Sequence, residues 1–200
     1  MTPYDTAIYI GRFEPVHNGH IALLRYALAH AHRVLVVLGS AGQARSPKNP
    51  FTWQEREAML CSALPEPDRA RLQVLPMPDF NDEAAWVAAV RQGVAERVPT
   101  SARIGLVGHF KDATSDYLNS FPGWALMPLE RQGSIDATTI RNAYFGATSE
   151  TIATALHTLA EQMPASTLDF LQRFAQQAAT APLYAALQGE WREWRTTGSV

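Results

Sequence analysis

Short runs of apolar, mostly β-branched residues alternate with longer stretches of helical periodicity, and this alternation limits what the chain can fold into. The runs occur at residues 6–11, 33–39, 72–77, 103–108 and 124–128. Each is a strand candidate with little alternation of polar and apolar residues, as expected for a strand that is buried on both faces. Strands separated by helices predict βαβ units, and therefore an α/β fold with a Rossmann-like, doubly wound parallel sheet.

The stretches between the strand candidates predict the helices. These stretches lie near residues 20–31, 52–64, 83–97 and 112–120. Thr52 and Glu55 have the spacing of a capping box, in which each side chain binds a backbone amide that the helix leaves without a partner. A later helix is predicted to begin at Asp136 or Thr138 and to end near Gly146.

Beyond Gly146 the sequence contains no strand candidate, so we predict an α/β domain at residues 1–146 and a helical extension at residues 147–200. The extension carries apolar residues at helical spacing, which predicts three helices with one apolar face each. These faces either cover the α/β domain or form an oligomer interface, and the role of the extension stays open. The three apolar stripes are Ile152, Leu156, Leu159 and Met163; Leu168, Leu171, Phe174, Ala175 and Ala178; and Leu183, Tyr184, Leu187, Trp191 and Trp194.

The charge balance argues against a general attraction to polyanions. Seventeen basic and nineteen acidic side chains give a net charge of −2, so no global field draws the chain to nucleic acid or to an anionic membrane. The single cysteine, Cys61, cannot form an internal disulfide and suits a small buried residue in a reducing compartment. The first residues lack a secretory signal, and no apolar run approaches the ~20 residues of a membrane span. We therefore expect a cytoplasmic protein without nucleic-acid or membrane partners.

The segment after the first strand candidate carries the strongest functional signal. It reads GRFEPVHNGH, from Gly11 to His20, and leads directly into a predicted helix. The free amides and the positive dipole end of a helix N-terminus favour a phosphate, and Gly11 and Gly19 allow the backbone to approach it closely. Because His17 and His20 are three residues apart, both imidazoles share one face of the first helical turn. We therefore predict an anion site here.

This segment resembles the H-x-G-H signature of the nucleotidylyltransferase superfamily, whose members transfer a nucleoside monophosphate from ATP or CTP to a phosphate or similar acceptor. Residues 134–141, SIDATTIR, resemble the second half of the signature, I-S-[ST]-x-x-[IV]-R. The resemblance implies that Thr138 and Arg141 bind nucleotide phosphates, although Arg141 taken alone reads as an exposed helix residue. A guanidinium fork matches phosphate oxygens. Asp136 stands where the superfamily often has serine, which favours a helix cap and puts a direct phosphate contact in doubt.

Further motifs narrow the resemblance to the archaeal-type nicotinamide-mononucleotide adenylyltransferases, a family that also forms the N-terminal domain of bacterial adenylyltransferase/Nudix proteins. The resemblance covers about residues 4–146 and implies that residues 1–146 are a nucleotidylyltransferase domain. It depends on five motifs in chain order: GRFEPVHNGH at 11–20, GSAGQARSPKNPFTWQER at 39–56, PDF at 78–80 with Trp86, GHFKD at 108–112, and SIDATTIR at 134–141.

Carried over to matching positions, the resemblance implies a role for each of three sets of residues. The catalytic set is His17, His20 and Arg141. The ATP-binding set is Gly11, Arg12, Phe13, Gly19, Gly108, His109 and Thr138. The set that binds nicotinamide mononucleotide is Lys48, Asn49, Asp79 and Trp86, with Asp79 and Trp86 at the nicotinamide-ribose end. No residue is assigned to a metal.

Three positions have alternatives. Trp86 either stacks on the cationic pyridinium or anchors its helix in the core. Arg45 competes with Lys48 for the acceptor phosphate. Glu14 stands where near relatives usually carry glutamine. Since a carboxylate repels a triphosphate, we expect Glu14 to point away or to meet a magnesium ion or Arg12.

The resemblance implies the reaction of ATP with nicotinamide mononucleotide to give NAD and pyrophosphate. Mg²⁺ is expected to be held mainly by substrate phosphates, because the sequence offers no carboxylate cluster.

Two alternative functions stay open. One is another transferase of this fold, with a phosphopantetheine or flavin mononucleotide acceptor, and the other is a non-catalytic module that senses NAD. Family precedent favours a homo-oligomer, and without an acidic Nudix signature we expect no ADP-ribose hydrolysis. The choice between nicotinamide and nicotinate mononucleotide stays open.

Overall fold

A computed structural model of the chain describes residues 3–109, 120–130, 136–148 and 151–197. The predicted strands are confirmed, each end within two residues of its prediction. Apart from its last position, the helix predicted at residues 112–120 lies outside the described residues. In chain order the elements are β1 (Tyr4–Gly11), α1 (Asn18–His30), β2 (Ala31–Leu38), α2 (Trp53–Ser62), α3 (Glu66–Arg69), β3 (Leu72–Pro76), α4 (Glu83–Ala95), β4 (Ile104–Gly108), β5 (Ala125–Pro128), α5 (Ala137–Gly146), α6 (Ile152–Thr158), α7 (Ala165–Gln176) and α8 (Ala181–Thr197).

The strands form one parallel sheet in the order β3-β2-β1-β4-β5. In the central strand, Ile8 lies opposite Leu35 of β2 and Leu106 of β4, and all three side chains are buried. The strand order reverses direction at β1, so the predicted doubly wound, Rossmann-like sheet is confirmed. Sheets of this kind bind ligands beyond the carboxyl ends of the strands at the reversal, which here are the ends of β1 and β4.

Helix α4 packs closely against β3 because Gly93 has no side chain. A Cβ atom at Gly93 would lie 2.8 Å from Leu75 Cδ2. Val90 and Val94 of the same helix are buried in the cluster that contains Leu75. This packing fixes the helix that carries Trp86.

The chain divides into two compact units. In the described residues, the sheet unit comprises 3–12, 19–42, 64–109 and 120–130, and the helical unit comprises 13–18, 43–63, 136–148 and 151–197. The predicted boundary at residue 146 stays a prediction. In the described ranges, no helix has both the length and the apolarity needed to span a bilayer.

All four residues of the first predicted stripe, Ile152, Leu156, Leu159 and Met163, are buried. Helix α6 ends at Thr158, however, so Leu159 and Met163 lie beyond it. In the second stripe Leu171 and Phe174 are buried, whereas Ala178 is exposed. In the third stripe Tyr184 and Leu187 are buried, whereas Leu183 is 40% exposed and Trp194 is 46% exposed.

Burial was also predicted for both faces of the strands and for Cys61. The prediction is wrong for β5, where Leu126 is 45% exposed. Cys61 is half-buried in α2 and not fully buried.

Candidate functional site

The connection from β1 to α1 begins at Gly11, where the Gly39 amide donates to the Gly11 carbonyl oxygen at 3.0 Å. A Cβ atom at Gly39 would lie 3.7 Å from Cγ of the exposed Arg12, an ordinary contact distance, so the Arg12 side chain passes close to the end of β2. Gly19 and His20 lie in the first turn of α1, which has no acidic residue. An anion at this helix end therefore meets backbone amides and the positive dipole end without repulsion from that turn.

The end of β4 lies beside the end of β1 in the sheet. Gly108 is the last residue of β4, and its carbonyl oxygen accepts a hydrogen bond from the Leu129 amide at 3.3 Å. The half-buried His109 follows, with Nδ1 2.7 Å from the Leu129 carbonyl oxygen. Because a carbonyl can only accept, Nδ1 carries the proton, and a ligand at this edge would meet Nε2.

The loops after β2 and β3 are hydrogen-bonded to each other. The Met77 amide donates to Leu38 at 2.8 Å, and the Ala41 amide donates to Met77 at 2.9 Å. Ser40, with φ of 52°, donates from Oγ to Asp79 Oδ1 at 3.0 Å. Asp79, which was assigned to the acceptor, is exposed, and Ser40 holds its carboxylate. Ser40 lies in the motif at residues 39–56, but sequence reasoning assigned it no role.

Trp86 belongs to an aromatic group in the sheet unit. Its ring meets the edge of the buried Phe121 at 5.9 Å, and Phe121 stacks on Trp124 at 4.6 Å with an interplanar angle of 6°. The Arg91 guanidinium lies 5.8 Å from the Phe121 ring and 5.6 Å from the Trp124 ring, and it donates to the Pro122 carbonyl at 2.8 Å. Trp86 therefore packs against the core and is also half-exposed.

In the helical unit, the segment that follows Arg12 begins with Phe13, which is 1% exposed. Its φ of 59° places this bulky residue in the left-handed region, which side chains of its kind rarely adopt. His17 is also buried, at 8% exposure. It precedes α1, which begins at Asn18, so the prediction that His17 lies in the first helical turn is wrong. The Asn18 amide donates to the Gln162 carbonyl at 2.8 Å, so the residues after α6 hold the end of this segment.

The expectation for Glu14 is corrected by the structure. Its carboxylate is buried, with Oε1 3.2 Å from Arg56 Nε, and Oε2 accepts from the Phe51 amide at 3.2 Å. A buried carboxylate needs a counter-charge and hydrogen-bond donors. Here a guanidinium 42 positions along the chain supplies the counter-charge.

Arg141 is buried in the first half of α5, at 7% exposure. Its Nη1 donates to the Glu14 carbonyl oxygen at 2.7 Å, and Nη2 donates to Thr138 Oγ1 at 3.2 Å. Asp136 caps the helix, accepting from the Thr139 amide at 2.8 Å, so the expected cap at this position is present. The structure therefore brings Arg141 and Thr138 together with the main chain of residue 14.

The loop before α2 is held by Arg45. Its guanidinium binds both carboxylate oxygens of Glu55, at 2.7 and 2.9 Å, and lies 5.5 Å from the Phe174 ring. Glu55 also closes the predicted capping box with Thr52. Because Arg45 is engaged in this way, the exposed Lys48 is the better candidate for an acceptor phosphate.

Asn49 lies in the same loop and exchanges backbone hydrogen bonds with Ser46 at 3.1 and 3.3 Å. Phe51 ends the loop, and its ring meets the edges of Phe170 and Phe174 at 5.5 and 5.4 Å. The turn that carries Lys48 and Asn49 is therefore closed by its own backbone and anchored on α7.

A comparison with protein families matches residues 8–143 to the family described as cytidylyltransferase-like. The nicotinamide/nicotinic acid mononucleotide adenylyltransferase of Acinetobacter baylyi is 34% identical over 193 residues, which cover 96% of each chain. The nicotinamide-nucleotide adenylyltransferase of Thermococcus kodakarensis is 41% identical over 85 residues, which cover 42% of this chain and 45% of that one.

Among solved structures, a bifunctional NMN adenylyltransferase/ADP ribose pyrophosphatase from Francisella tularensis, complexed with AMP and a manganese ion, is similar at a TM-score of 0.79 and 25% identity. The similarity covers 95% of this chain and 53% of that one, so this chain spans about half the length of the Francisella protein.

Proposed function

This chain belongs to the cytidylyltransferase-like family and, within it, to the nicotinamide mononucleotide adenylyltransferases, and from that premise we propose that it joins ATP to nicotinamide mononucleotide, giving NAD and pyrophosphate. It is a nucleotidyltransferase of NAD biosynthesis. The observation that carries the proposal is the placement of Arg141, whose buried guanidinium is held by the Glu14 carbonyl and the Thr138 hydroxyl.

The reaction needs positioning and charge stabilisation more than proton transfer. The acceptor phosphate is already anionic at neutral pH, so its oxygen attacks the α-phosphorus of ATP without help from a protein base. A bond forms from that oxygen to the α-phosphorus, and the bond to the bridging oxygen of pyrophosphate breaks. His17, His20 and Arg141 stabilise the charge on the α-phosphoryl group and on the leaving pyrophosphate, where preorganised donors contribute most.

The remaining ATP-binding residues act at the strand ends and at the two helix starts. We assign the triphosphate to Gly11, Arg12, Phe13, Gly19 and Thr138, and the adenine edge to Gly108 and His109. His109 supports this assignment. Its Nδ1 proton is bound to the Leu129 carbonyl, which leaves Nε2 to face the adenine ring.

The acceptor is assigned to Lys48, Asn49, Asp79 and Trp86. Lys48 supplies the charge for the acceptor phosphate, since Arg45 is paired with Glu55. Asp79 suits a ribose hydroxyl, because Ser40 orients its carboxylate and it is exposed. The exposed part of Trp86 suits the flat, cationic pyridinium.

We assign Mg²⁺ to the substrate, entering with ATP and held by phosphate oxygens and water. Among the described residues, no group of three His, Cys, Asp or Glu side chains could hold a metal ion. The carboxylates of Glu14 and Asp136 are engaged with Arg56 and Thr139. A divalent ion is consistent with the manganese in the Francisella tularensis complex.

Incubating the chain with ATP and each pyridine mononucleotide, with Mg²⁺ and with EDTA, tests the proposal. NAD and pyrophosphate should form in equal amounts from nicotinamide mononucleotide, and only with Mg²⁺. Faster turnover of phosphopantetheine or flavin mononucleotide would indicate another transferase of the fold. Tight NAD binding without pyrophosphate release would indicate a sensing module.

Two further assignments complete the proposal: a homo-oligomer, and a role in the cytoplasm without nucleic-acid or membrane partners. The sequence has a single cysteine, Cys61, which cannot form an internal disulfide and therefore suits a reducing compartment. Light scattering of the purified chain measures the subunit number, and a single-subunit mass would contradict the first assignment.

A further inference from the structure

Glu14 contacts two arginines of the helical unit, one through its side chain and the other through its main chain. Its carboxylate pairs with Arg56 at 3.2 Å, and its main-chain carbonyl oxygen accepts from Arg141 at 2.7 Å. Arg56 and Arg141 are 85 positions apart in the sequence. Glu14 is therefore the residue through which the two guanidinium groups are connected.

The carboxylate end is firmly held. The Glu14 and Arg56 side chains are each 1% exposed, and buried charges of this kind tolerate little change in geometry. Arg56 Nε also lies 3.4 Å from the Thr52 carbonyl, at the capped start of α2. The Phe51 amide donates to the second carboxylate oxygen at 3.2 Å. These contacts tie the Glu14 side chain to a capped helix end.

The carbonyl end in turn orients Arg141. One guanidinium nitrogen donates to the Glu14 carbonyl, and the other donates to Thr138 Oγ1 at 3.2 Å. A guanidinium is planar, so two hydrogen bonds to separate nitrogens fix both its position and its plane. A shift of the main chain at residue 14 would therefore turn the guanidinium of Arg141.

We propose that Glu14 and Arg56 are positioning residues for Arg141, and that the buried pair holds the main chain at residue 14 so that the Arg141 guanidinium stays aligned for phosphate. This inference builds on the proposed function, in which Arg141 meets the nucleotide phosphates. Neither Glu14 nor Arg56 needs to touch the substrate.

Two replacements of Glu14 separate its hydrogen-bonding role from its bulk. Glu14→Gln keeps an oxygen that can accept from the Phe51 amide but removes the charge that pairs with Arg56, whereas Glu14→Met has similar length and neither charge nor acceptor. We expect kcat for NAD formation to fall in both variants, by about threefold in Glu14→Gln and by about tenfold or more in Glu14→Met. The same order should appear in the affinity for pyrophosphate, measured by calorimetry.

A double-mutant cycle with Arg141→Ala shows whether Glu14 acts through the arginine. If it does, adding Glu14→Met to Arg141→Ala should change kcat and pyrophosphate affinity by less than about twofold. Losses that multiply in the double variant would overturn the proposal. Tyr184→Phe is the control, since it removes a buried hydrogen bond of the same unit and should lower Tm with kcat unchanged.

A substitute variant and a second measurement cover the cases in which Glu14→Met does not fold or the wild type is inactive. If Glu14→Met does not fold, Arg56→Lys takes its place in the cycle, because it keeps the charge of the pair and changes its geometry. If wild type makes no NAD, the proposed function fails, while the pyrophosphate titrations still decide the positioning role. Equal pyrophosphate affinity in wild type and in the folded variants would then overturn it.

Discussion

His20 lies in the first turn of α1, half-buried, where no acidic residue of that turn competes for an anion. His20→Ala should lower kcat by roughly 10²- to 10³-fold, since one preorganised donor to the transition state is lost. Tm should change little. His30→Ala in the last turn of the same helix is the matched control, because the His30 ring contacts the Tyr26 carbonyl and the Tyr26 ring of its own helix. Equal kcat values for the two variants would remove His20 from its assigned role.

The role of Trp86 can be tested by asking which substrate's KM rises when the side chain is removed. Stacking on a cation contributes about 0.5 to 2 kcal/mol, so Trp86→Ala should raise the KM for nicotinamide mononucleotide roughly two- to thirtyfold. The KM for ATP should change much less. Trp124→Ala is the control, since Trp124 stacks on the other aromatic neighbour, Phe121. If Trp86→Ala raises both KM values alike, the packing interpretation is correct.

At the residue scale, the sequence identified the residue types of the site better than their partners. The cap at Asp136 and the pairing of Thr52 with Glu55 were predictable because capping joins residues three positions apart. The pairing of Glu14 with Arg56 was not, since the two side chains are far apart along the chain and no local pattern relates them. The hydrogen bond from Ser40 to Asp79 could not be predicted for the same reason, since these residues are also far apart along the chain.

At the scale of elements, the loop before α2 depends on the ion pair of Arg45 and Glu55. Glu55→Gln keeps the capping box, which accepts glutamine, but leaves one acceptor where Arg45 now binds two. Half-exposed pairs of this kind contribute up to about 1 kcal/mol, so the KM for nicotinamide mononucleotide should rise about two- to fivefold. Glu96→Gln, in the exposed pair with Arg97, should leave it unchanged. A larger effect on the KM for ATP would contradict the assignment of this loop to the acceptor.

The tyrosines of α5 and α8 give the helical unit a predictable loss of stability at alkaline pH. Tyr144 donates to the Leu171 carbonyl and Tyr184 to the Tyr144 carbonyl, both at 2.8 Å. Burial raises the pKa of Tyr184 from 10 to about 12 and raises the pKa of Tyr144 further. Above pH 10 the unfolded chain therefore releases protons that the native chain keeps, and the free energy of unfolding falls as pH rises from 10 towards 12.

Urea unfolding at several alkaline pH values measures this loss. Tyr184→Phe should start less stable at neutral pH by about 1 kcal/mol, for the lost hydrogen bond. Between about pH 9 and pH 11, its free energy of unfolding should fall by roughly 1 kcal/mol less than that of wild type, because only Tyr144 of this pair still titrates. Parallel curves for the two proteins would show that Tyr184 is not responsible.

Elements with strong local signals were predicted, and those defined by packing were not. The strands are continuous apolar runs and were found to within two residues. The short helix α3 (Glu66–Arg69) has no apolar periodicity and was missed. The exposure of Leu183 and Trp194 could not be foreseen either, because helical spacing shows which residues share a face and not how far the neighbouring helices cover it.

At the scale of the whole molecule, the boundary at residue 146 was predicted because no strand candidate follows Gly146. The helical unit, in contrast, is assembled from segments that are separated along the chain. Residues 13–18 and 43–63 belong to that unit together with the C-terminal helices. Phe51 packs against Phe170 and Phe174 of α7. Such long-range contacts leave no trace in local periodicity, which is why the sequence did not assign a structural role to residues 147–200.

A chain truncated after residue 146 tests what those residues do. Their removal would uncover Phe51, Tyr144 and Phe145, which are 3%, 1% and 0% exposed. Each such side chain contributes roughly 2 to 3 kcal/mol when buried, and a whole domain is stable by only about 5 to 15 kcal/mol. The truncated chain should therefore lose its cooperative thermal transition and its activity. Removing only residues 195–200 leaves the three aromatic side chains covered and should keep both. A truncated chain that melts at the wild-type Tm and still makes NAD would show that residues 147–200 are a separable extension.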